Sequence, residues 1–397
     1  MTEITIAGGV YYEQVQWPSW DLIFGSGGRA AASLPGHVDT IDLRTYARAD
    51  TAEAFQRAAD VYGFRLYAEA AEQSVCFQYV HTLSTPVIVP APARIRPIAP
   101  LRVQADAILR FGMMEGSAVV KADRCVYDPQ SPLNPEPFER NGSRAAHLAI
   151  VANRGEVGAL TGIADDPVAA AQRLLGEGAE VVVVKCGASG AIIVEKSGTR
   201  EIPAYRSEGV WTLGSGDVFA AIFAAYWAVH GQSATAAAEL ASRAVASYAE
   251  SKSLPIPAAT ALRTTIAQPV GAQTGRVYLA GPFFTIGQRW LVDEARQSLL
   301  GMGMNVFSPV HDIGNGPAAT VAPADLAGLN DCDAVFALLD GLDSGTLFEV
   351  GYACARSKPV YALAQSVGDE DLKMIVGSGC RVYGDLVTAL HHLVWRV

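Results

Sequence analysis

Short apolar segments alternate with alanine-rich segments of helical length along almost the whole chain. Segments such as "EVVVVKCG" and "RVYLAGP" are apolar throughout, as strands buried on both faces are, and "SATAAAELASRAVASYAES" is typical of a helix. Parallel strands need long crossover connections, and these are usually helices. The alternation therefore predicts an α/β fold with largely parallel sheets.

A proline-rich break divides this alternation into two series. The segment "KSLPIPAATALRTTIAQPVGAQTGR" has no clear periodicity, and a new strand follows it. A chain of 397 residues is also long for one core. We predict a larger three-layer α/β domain over residues 1–262 and a smaller Rossmann-like or flavodoxin-like domain with a parallel sheet over residues 275–397.

The composition limits the partners of the chain. The formal net charge is -10, half of the residues are hydrophobic and 18% are charged. We therefore expect a compact globule that binds neither nucleic acid nor an anionic membrane. The N-terminus lacks the pattern of a signal peptide, no apolar run has the length of a membrane span, and the six cysteines form no C-x-x-C pair. These features favour a cytoplasmic protein without zinc.

Three carboxylates lie around the predicted strand "AVFALLD". Asp325 falls in the helix before it, Asp343 in the turn after it, and Glu349 in the predicted first turn of the next helix. Helix amides favour an ionised carboxylate there. Such a carboxylate can attack an oxocarbenium-like centre while a second acid protonates the leaving group. Glu349 taken alone equally suits a residue that only satisfies the helix dipole.

The segment "YLAGPFF" lies between a strand and a helix. Gly281 allows a ligand to approach the backbone, and Phe283 and Phe284 can form a wall for a flat base. A packed strand end is the alternative interpretation.

The region from residue 275 to 365 resembles the nucleoside 2-deoxyribosyltransferase family in "RVYLAGPFF", "GMNVFSPV", "LNDCDAVFALLDG" and "DSGTLFEVGYACARSKPV". The resemblance implies that Glu349 is a nucleophile that forms a covalent deoxyribosyl intermediate and that Tyr278 orients it. It implies that Asp343 binds the sugar and that Asp325 acts on the leaving base. It also implies a homo-oligomer and no cofactor.

Three properties of this domain stay open in the sequence. The loop "GPFFTIGQR" favours nucleosides over nucleotides, but Arg289 keeps phosphate binding open. The sequence does not separate hydrolysis from transfer to a second base. It also does not separate ribose from deoxyribose.

In the larger domain, "VWTLGSGDVFAAIFAAYW" predicts a glycine-rich turn that opens a long helix. Free amides at such a helix start bind phosphate. Asp217, at the end of the turn, can take a proton from an attacking hydroxyl. A helix that is simply N-capped after a glycine turn is the alternative.

The larger domain resembles the PfkB (ribokinase-like) family of sugar and nucleoside kinases in "WTLGSGD", "VANRGEVGALTG", "VVVVKCGASGAIIV", "VYDPQSP" and "FGSGGRAAASL". The resemblance implies ATP and Mg²⁺ as cofactors and a sugar or nucleoside as the acceptor. The implied site residues are the anion hole Gly214, Ser215 and Gly216, the base Asp217, Asn153 and Glu156 near the phosphates and the magnesium (through water), Gly187 and Gly190 at the nucleotide, Asp128 at a strand end, and Gly27, Gly28 and Arg29 at the sugar.

The larger domain also departs from the family pattern. Trp211 replaces the first aspartate of the late signature, and Arg29 replaces an asparagine. Only Glu13 is available where an early sugar-contacting aspartate is expected. We expect the lid over the sugar, between Tyr12 and Gly25, to be short or absent. The catalytic half is therefore retained, whereas the acceptor half is altered.

These observations give three hypotheses. The first is a bifunctional enzyme that cleaves or exchanges N-glycosidic bonds through Glu349 and phosphorylates a sugar or nucleoside through Asp217. Released deoxyribose would be a coherent acceptor. In the second, the kinase-like domain binds a metabolite without phosphorylating it and controls a C-terminal nucleoside or nucleotide N-glycosidase. In the third, both domains are binding modules.

Overall fold

The chain folds as two units, Met1–Val270 and Gly271–Val397. The computed structural model describes residues 1–131, 134–266 and 268–396. The division falls in the proline-rich break, between the predicted domains 1–262 and 275–397. The bounds 1–262 and 275–397 themselves stay a prediction.

The first unit is built on a nine-stranded sheet of order β13-β12-β11-β10-β9-β8-β1-β4-β5. Its strands pair in parallel from β5 to β11, and β12 and β13 extend it as antiparallel neighbours. The strands of this unit are β1 (Glu3–Ala7), β2 (Tyr12–Val15), β3 (Trp20–Ile23), β4 (Thr40–Ala47), β5 (Arg65–Ala70), β6 (Cys76–Tyr79), β7 (Val87–Val89), β8 (Leu101–Phe111), β9 (Ala118–Asp128), β10 (Arg144–Asn153), β11 (Val181–Lys185), β12 (Ala191–Glu195), β13 (Gly198–Ile202), β14 (Ala204–Tyr205) and β15 (Pro269–Val270).

Helices cover both faces of this sheet. Successive strand residues point to opposite faces. Val181 and Val183 pack into a core shared with α1, α2, α5 and α6, whereas Val182 and Val184 pack into a core shared with α3 and α4. The unit therefore has the predicted three layers. Its helices are α1 (Gly25–Ser33), α2 (Ala49–Tyr62), α3 (Arg154–Thr161), α4 (Pro167–Gly176), α5 (Ser215–Ala224), α6 (Ala234–Ser251) and α7 (Ala259–Thr265), with short helical turns at Pro92–Arg94, Gly187–Ser189 and Ala225–Val229.

A second, four-stranded sheet in this unit contains the segment between Tyr12 and Gly25, where we expected a short or absent lid. Its order is β3-β2-β6-β7, with β2 and β6 parallel. The first hairpin is short, as expected, but residues 76–89 complete the sheet from a distant part of the sequence. This sheet approaches the predicted glycine turn, since Trp20 packs on Trp211 with 5.0 Å between ring centroids and Thr212 Oγ1 donates to the carbonyl oxygen of Thr82 at 2.9 Å.

The second unit has one five-stranded sheet of order β17-β16-β18-β19-β20, and all of its pairings are parallel. This is the strand order of flavodoxin-like folds, in which the chain reverses direction across the sheet beside the first strand. The elements are β16 (Arg276–Ala280), α8 (Ile286–Gly301), β17 (Asn305–Phe307), α9 (Pro309–Asp312), α10 (Ala318–Asn330), β18 (Ala334–Leu338), α11 (Ser344–Ala355), β19 (Val360–Leu363), α12 (Asp369–Gly377), β20 (Arg381–Tyr383) and α13 (Leu386–Trp395).

The predicted fold class is confirmed in both units, a large α/β unit with helices on two faces and a smaller unit with a parallel sheet. Among the described helices, none is both long and apolar enough to cross a membrane.

Candidate active sites

A short hydrogen bond joins two predicted site residues of the second unit. The hydroxyl of Tyr278, on β16, donates to Oε1 of Glu349, on α11, at 2.6 Å. Tyr278 is fully buried, and its ring stacks on Phe307 with centroids 5.5 Å apart. The phenol is therefore held by packing, and it fixes the orientation of the carboxylate.

The structure corrects the predicted position of Glu349 in its helix. Asp343 is the N-cap of α11, and its Oδ2 accepts hydrogen bonds from the backbone amide of Thr346 at 2.8 Å and from the Thr346 hydroxyl at 3.0 Å. The helix therefore begins at Ser344, and Glu349 lies in its second turn rather than its first. The free amides of the helix start do not reach it, so the expected stabilisation of the charged form is wrong.

Burial instead dominates the electrostatics of Glu349. Loss of hydration raises the pKa of Glu349 to about 7, the Tyr278 hydrogen bond lowers it, and the charges of Asp325 and Asp343 raise it further. Glu349 is thus within electrostatic reach of the other three catalytic residues predicted in this unit, Tyr278, Asp325 and Asp343. Asp325 lies on α10 as predicted, its Oδ1 is buried without a hydrogen bond from the described residues, and burial raises its pKa.

The loop after β16 carries the predicted base-binding residues. A Cβ on Gly281 would lie 3.1 Å from the side chain of Leu338, so the loop passes close to β18. Phe283 and Phe284 stack with centroids 5.1 Å apart, and Phe284 is 72% exposed. Arg289 Nε donates to the carbonyl oxygen of Phe283 at 3.0 Å. Their contact with a substrate stays a prediction.

In the first unit, the glycine turn opens α5 as predicted, but its amides are not all free. Gly214 is the N-cap with a φ of 78°, which favours glycine. The amide of Ser215 donates to the carbonyl oxygen of Thr212 at 3.1 Å, and that of Asp217 donates to the carbonyl oxygen of Gly214 at 3.1 Å. Tight i→i+3 bonds therefore use the amide of Asp217 and that of Ser215, one of the three residues that the sequence assigned to the anion hole.

Both carboxylate oxygens of Asp217 accept hydrogen bonds from side chains. Arg29 donates to Oδ2 at 3.0 Å, and Gln130 donates to Oδ1 at 3.1 Å. Burial raises the pKa of Asp217 to about 6, although the Arg29 charge opposes the shift. Sequence analysis missed Gln130. A signal for it was present in "DPQ". Gln130 stands where the motif that this segment resembles has asparagine, which is also an amide side chain.

Arg29 is fully buried and is held by other side chains of the protein. Its terminal nitrogens pair with both carboxylate oxygens of Glu13, one of them at 2.9 Å, and Nε donates to the hydroxyl of Tyr248 at 3.0 Å. Glu13 also accepts from the amide of Gly25 at 3.1 Å, where α1 begins. The predicted sugar-binding arginine is thus fixed within a network that joins β2, α1, α5 and α6.

A second charged group adjoins the turn. Lys185, at the end of β11, pairs with Asp128 at the end of β9 at 2.5 Å. Asn153 and Glu156 form a reciprocal capping box at the start of α3. Burial, together with the charge of Asp128, raises the pKa of Glu156.

This second group has a buried oxygen that could face a magnesium ion. Oδ1 of Asp128 is buried and accepts no hydrogen bond from the described residues. An oxygen without a partner beside a second buried carboxylate, Glu156, suits a hydrated divalent cation, because such ions prefer oxygen ligands and keep several waters. Within the described ranges no cluster of three or more His, Cys, Asp or Glu side chains has a geometry that could hold a metal directly.

Three of the other predicted glycines, Gly27, Gly28 and Gly190, are required for close packing. A Cβ on Gly27 would lie 2.6 Å from the carbonyl of Gly8, one on Gly28 would lie 2.6 Å from the ring of Phe55, and one on Gly190 would lie 2.1 Å from the carbonyl oxygen of Ile202. Gly187 starts the turn between β11 and β12 with a φ of 55°. Contact of these glycines with a sugar or nucleotide stays a prediction.

Replacing Glu349 by glutamine should stabilise the protein above pH 7. The folded-state pKa of about 7 exceeds the ordinary value of 4.5, so the native state binds the proton more tightly than the unfolded chain does. That contribution is fully present below the unfolded-state pKa and is lost as the pH rises through the folded-state pKa. The uncharged glutamine does not lose it, so Glu349→Gln should gain up to about 3 kcal/mol at high pH.

Chemical denaturation of both proteins at pH 4, 6 and 8.5 checks this difference. Glu370→Gln, a change at an exposed carboxylate on α12, is the matched control and should show no such trend. Equal free energies of unfolding for the wild type and Glu349→Gln at all three pH values would contradict the assignment.

Solved structures show the fold of the first unit. The ribokinase of Arabidopsis thaliana, in a complex with ribose and ATP, aligns with a TM-score of 0.50 at 15% identity, over 66% of this chain and 98% of that chain. At this identity the likeness shows the ribokinase-like fold alone. A ribokinase of Thermotoga maritima (TM-score 0.49, 15% identity, 66% and 99% covered) and a nucleoside kinase of Methanocaldococcus jannaschii (0.49, 14%, 66% and 97%) align less well.

No curated protein matches the chain significantly. Two family models match it, in the regions where the sequence predicted the two families. The pfkB family carbohydrate kinase model matches residues 119–260, and the nucleoside 2-deoxyribosyltransferase model matches residues 277–379. One chain thus contains both a pfkB family carbohydrate kinase domain and a nucleoside 2-deoxyribosyltransferase domain.

Proposed function

We propose that the second unit cleaves or exchanges the N-glycosidic bond of a nucleoside or deoxynucleoside, with Glu349 as the nucleophile. The observation that carries this proposal is the 2.6 Å hydrogen bond from the buried Tyr278 to Glu349. A carboxylate that only stabilised a helix end would bind backbone amides, whereas Glu349 accepts a hydrogen bond from a buried phenol on another element. The nearby Asp325 and Asp343 supply the further carboxyl groups that glycosyl transfer uses.

Each carboxyl group has a distinct part in the reaction. With Oε1 of Glu349 held by Tyr278, Oε2 attacks the anomeric carbon of the sugar. The bond from this carbon to the base nitrogen breaks, and its electron pair leaves with the base. Asp325, whose pKa is raised by burial, holds a proton at neutral pH more readily than an exposed aspartate does and gives it to the base.

The second half of the reaction releases the sugar. Water or another base attacks the anomeric carbon of the sugar–Glu349 ester, the carboxylate leaves, and Asp325 takes up the proton of the attacking group. One oxygen of Asp343 is used by the helix cap, so Oδ1 is the oxygen that binds a sugar hydroxyl. No cofactor takes part in either half.

Cleavage should require the ionised form of Glu349. Its pKa of about 7 predicts that kcat/KM rises as the pH increases through about 7. Tyr278→Phe removes a hydrogen bond that lowers this pKa, so the acidic limb of its profile should move to higher pH. Glu349→Ala should lose at least about a thousandfold in rate, as expected when a nucleophile is removed.

Chromatography of free base, released from a panel of nucleosides and deoxynucleosides between pH 5 and 9, measures these rates. Glu370→Gln is the control and should match the wild type. Free base released by Glu349→Ala at the wild-type rate would refute the nucleophile. An unchanged acidic limb in Tyr278→Phe would refute its orienting role.

We further propose that the first unit binds ATP with magnesium at the turn 214–216. Its glycine turn, the nearby ammonium group of Lys185 and the fold support this, and the Arabidopsis ribokinase of similar fold binds ATP. Asn153, Glu156 and Asp128 would hold the hydrated magnesium ion, which would offset the charge of the phosphates. In the bifunctional hypothesis, Asp217 then takes the proton of a sugar or nucleoside hydroxyl.

One observation favours the second candidate for this unit, a nucleotide-binding domain that does not phosphorylate and that controls the glycosidase. Both oxygens of Asp217 already accept hydrogen bonds, from Arg29 and Gln130. A base in this state keeps fewer lone pairs for the hydroxyl of an acceptor.

The two candidates predict different products. Incubation of the wild type with ATP, magnesium and the same panel should give no phosphorylated sugar or nucleoside by mass spectrometry, and Asp217→Asn should give none either. Release of free base should instead change when ATP is added. A phosphorylated product that disappears in Asp217→Asn would refute the second candidate and establish the kinase.

A further inference from the structure

The guanidinium group of Arg29 lies directly on the glycine turn of the first unit. A Cβ built on Gly214 would be 2.1 Å from Arg29 Nε and 2.3 Å from Cζ. From the same position, one terminal nitrogen reaches Oδ2 of Asp217 at 3.0 Å. The guanidinium therefore occupies the space between Gly214 and Asp217.

Phosphoryl transfer needs this space for the acceptor. The attacking hydroxyl has to lie within hydrogen-bond distance of the base and in line with the phosphoryl group at the helix start. The base here is Asp217 and the helix start is the turn 214–216. An acceptor hydroxyl and the guanidinium of Arg29 cannot occupy the same place.

Arg29 is also anchored too firmly to move aside for a neutral ligand. It is fully buried, Glu13 binds it through two oxygens, and Tyr248 accepts from Nε. The group also lies over the ring of Phe24, at 5.3 Å from its centroid. Displacing it would leave two buried carboxylates, Glu13 and Asp217, without their cation, and a neutral sugar offers no charge in exchange.

We propose that Arg29 is an internal occupant of the acceptor pocket, which excludes neutral sugars and nucleosides from Asp217. This inference rests on the second candidate function of the first unit, a domain that binds a nucleotide but does not phosphorylate. It gives a structural reason why no acceptor is phosphorylated. It also explains the paired departures in the sequence, since an arginine in place of the neutral asparagine needs the nearby carboxylate of Glu13. Arg29 is thus a specificity-determining residue of this domain.

The test replaces both members of the ion pair between Arg29 and Glu13. Arg29→Asn alone would leave Glu13 buried without a partner, so the full chain is made as Glu13→Gln/Arg29→Asn, in which one positive and one negative charge are lost together. Glu13→Gln alone is the matched control, because Arg29 stays against Asp217 in it. Arg29→Lys keeps the positive charge but removes the planar guanidinium group. It serves as the second variant if the double variant does not fold.

Calorimetry without nucleotide measures binding of ribose, deoxyribose and a set of nucleosides to each protein in its Glu349→Ala form, which prevents turnover. The double variant should bind at least one of them tenfold or more tightly than the wild type does, the Arg29→Lys variant should show a smaller gain, and Glu13→Gln should match the wild type. Equal affinities in the wild type and the folded variants would overturn the proposal. So would wild-type binding of a neutral sugar that the double variant loses.

ATP binding to the wild type is measured in the same series. Failure to bind ATP would refute the proposed nucleotide function of the first unit, and the sugar comparison would still decide the role of Arg29. If ATP does bind, the double variant should also transfer phosphate to the sugar that it binds, and a third change, Asp217→Asn, should abolish that transfer. Phosphoryl transfer to a sugar by the wild type would likewise overturn the proposal.

Discussion

Parallel strands all end at the same edge of a sheet, and this constraint determines where each unit holds its ionisable side chains. In the first unit, Asp128, Asn153 and Lys185 are the last residues of three neighbouring parallel strands. In the second unit, Asp343 follows β18, and the loop with Gly281 follows the neighbouring β16. Both sites therefore form from short segments that are distant in sequence but share one edge.

Burial raises the pKa of a carboxyl group in both sites, but the charges beside that group differ. In the second unit, Glu349 has carboxyl groups and a neutral phenol around it, so burial raises its pKa to a value at which it is partly protonated near pH 7. This costs stability and leaves a carboxylate that a positively charged, oxocarbenium-like centre can attract. In the first unit, the cations Arg29 and Lys185 each lie on a carboxylate, Asp217 and Asp128 respectively. These cations therefore offset part of the buried negative charge of the first unit.

The sequence predicted the elements that depend on local pattern and missed the contacts that depend on tertiary structure. The apolar segments that end in Ala280 and Leu338 became parallel strands, and the glycine turn opened α5 as predicted. The start of α11 was misplaced, although a local signal was present, because aspartate is one of the preferred N-cap residues. The second half of the four-stranded sheet, residues 76–89, was missed because its pairing with β2 is distant in sequence.

The network of Arg29 shows most clearly what could not be predicted from the sequence. Its partners Glu13 and Asp217 are 16 and 188 residues away in the sequence. Only the three-dimensional fold brings them together, so the sequence could show that Arg29 departs from the family pattern but not that it fills the acceptor pocket. By contrast, the family resemblance did bring Tyr278 and Glu349 together, although 71 residues separate them.

Trapping the covalent sugar–Glu349 intermediate tests most directly whether Glu349 is the nucleophile. The full-length protein is mixed with a deoxynucleoside that it cleaves, quenched with acid within one turnover, digested and analysed by mass spectrometry. We expect the peptide containing residues 344–355 to gain the mass of the sugar minus one water, on Glu349, and the same peptide of Glu349→Ala to gain nothing. Free base released without this adduct, or an adduct on another side chain, would contradict it.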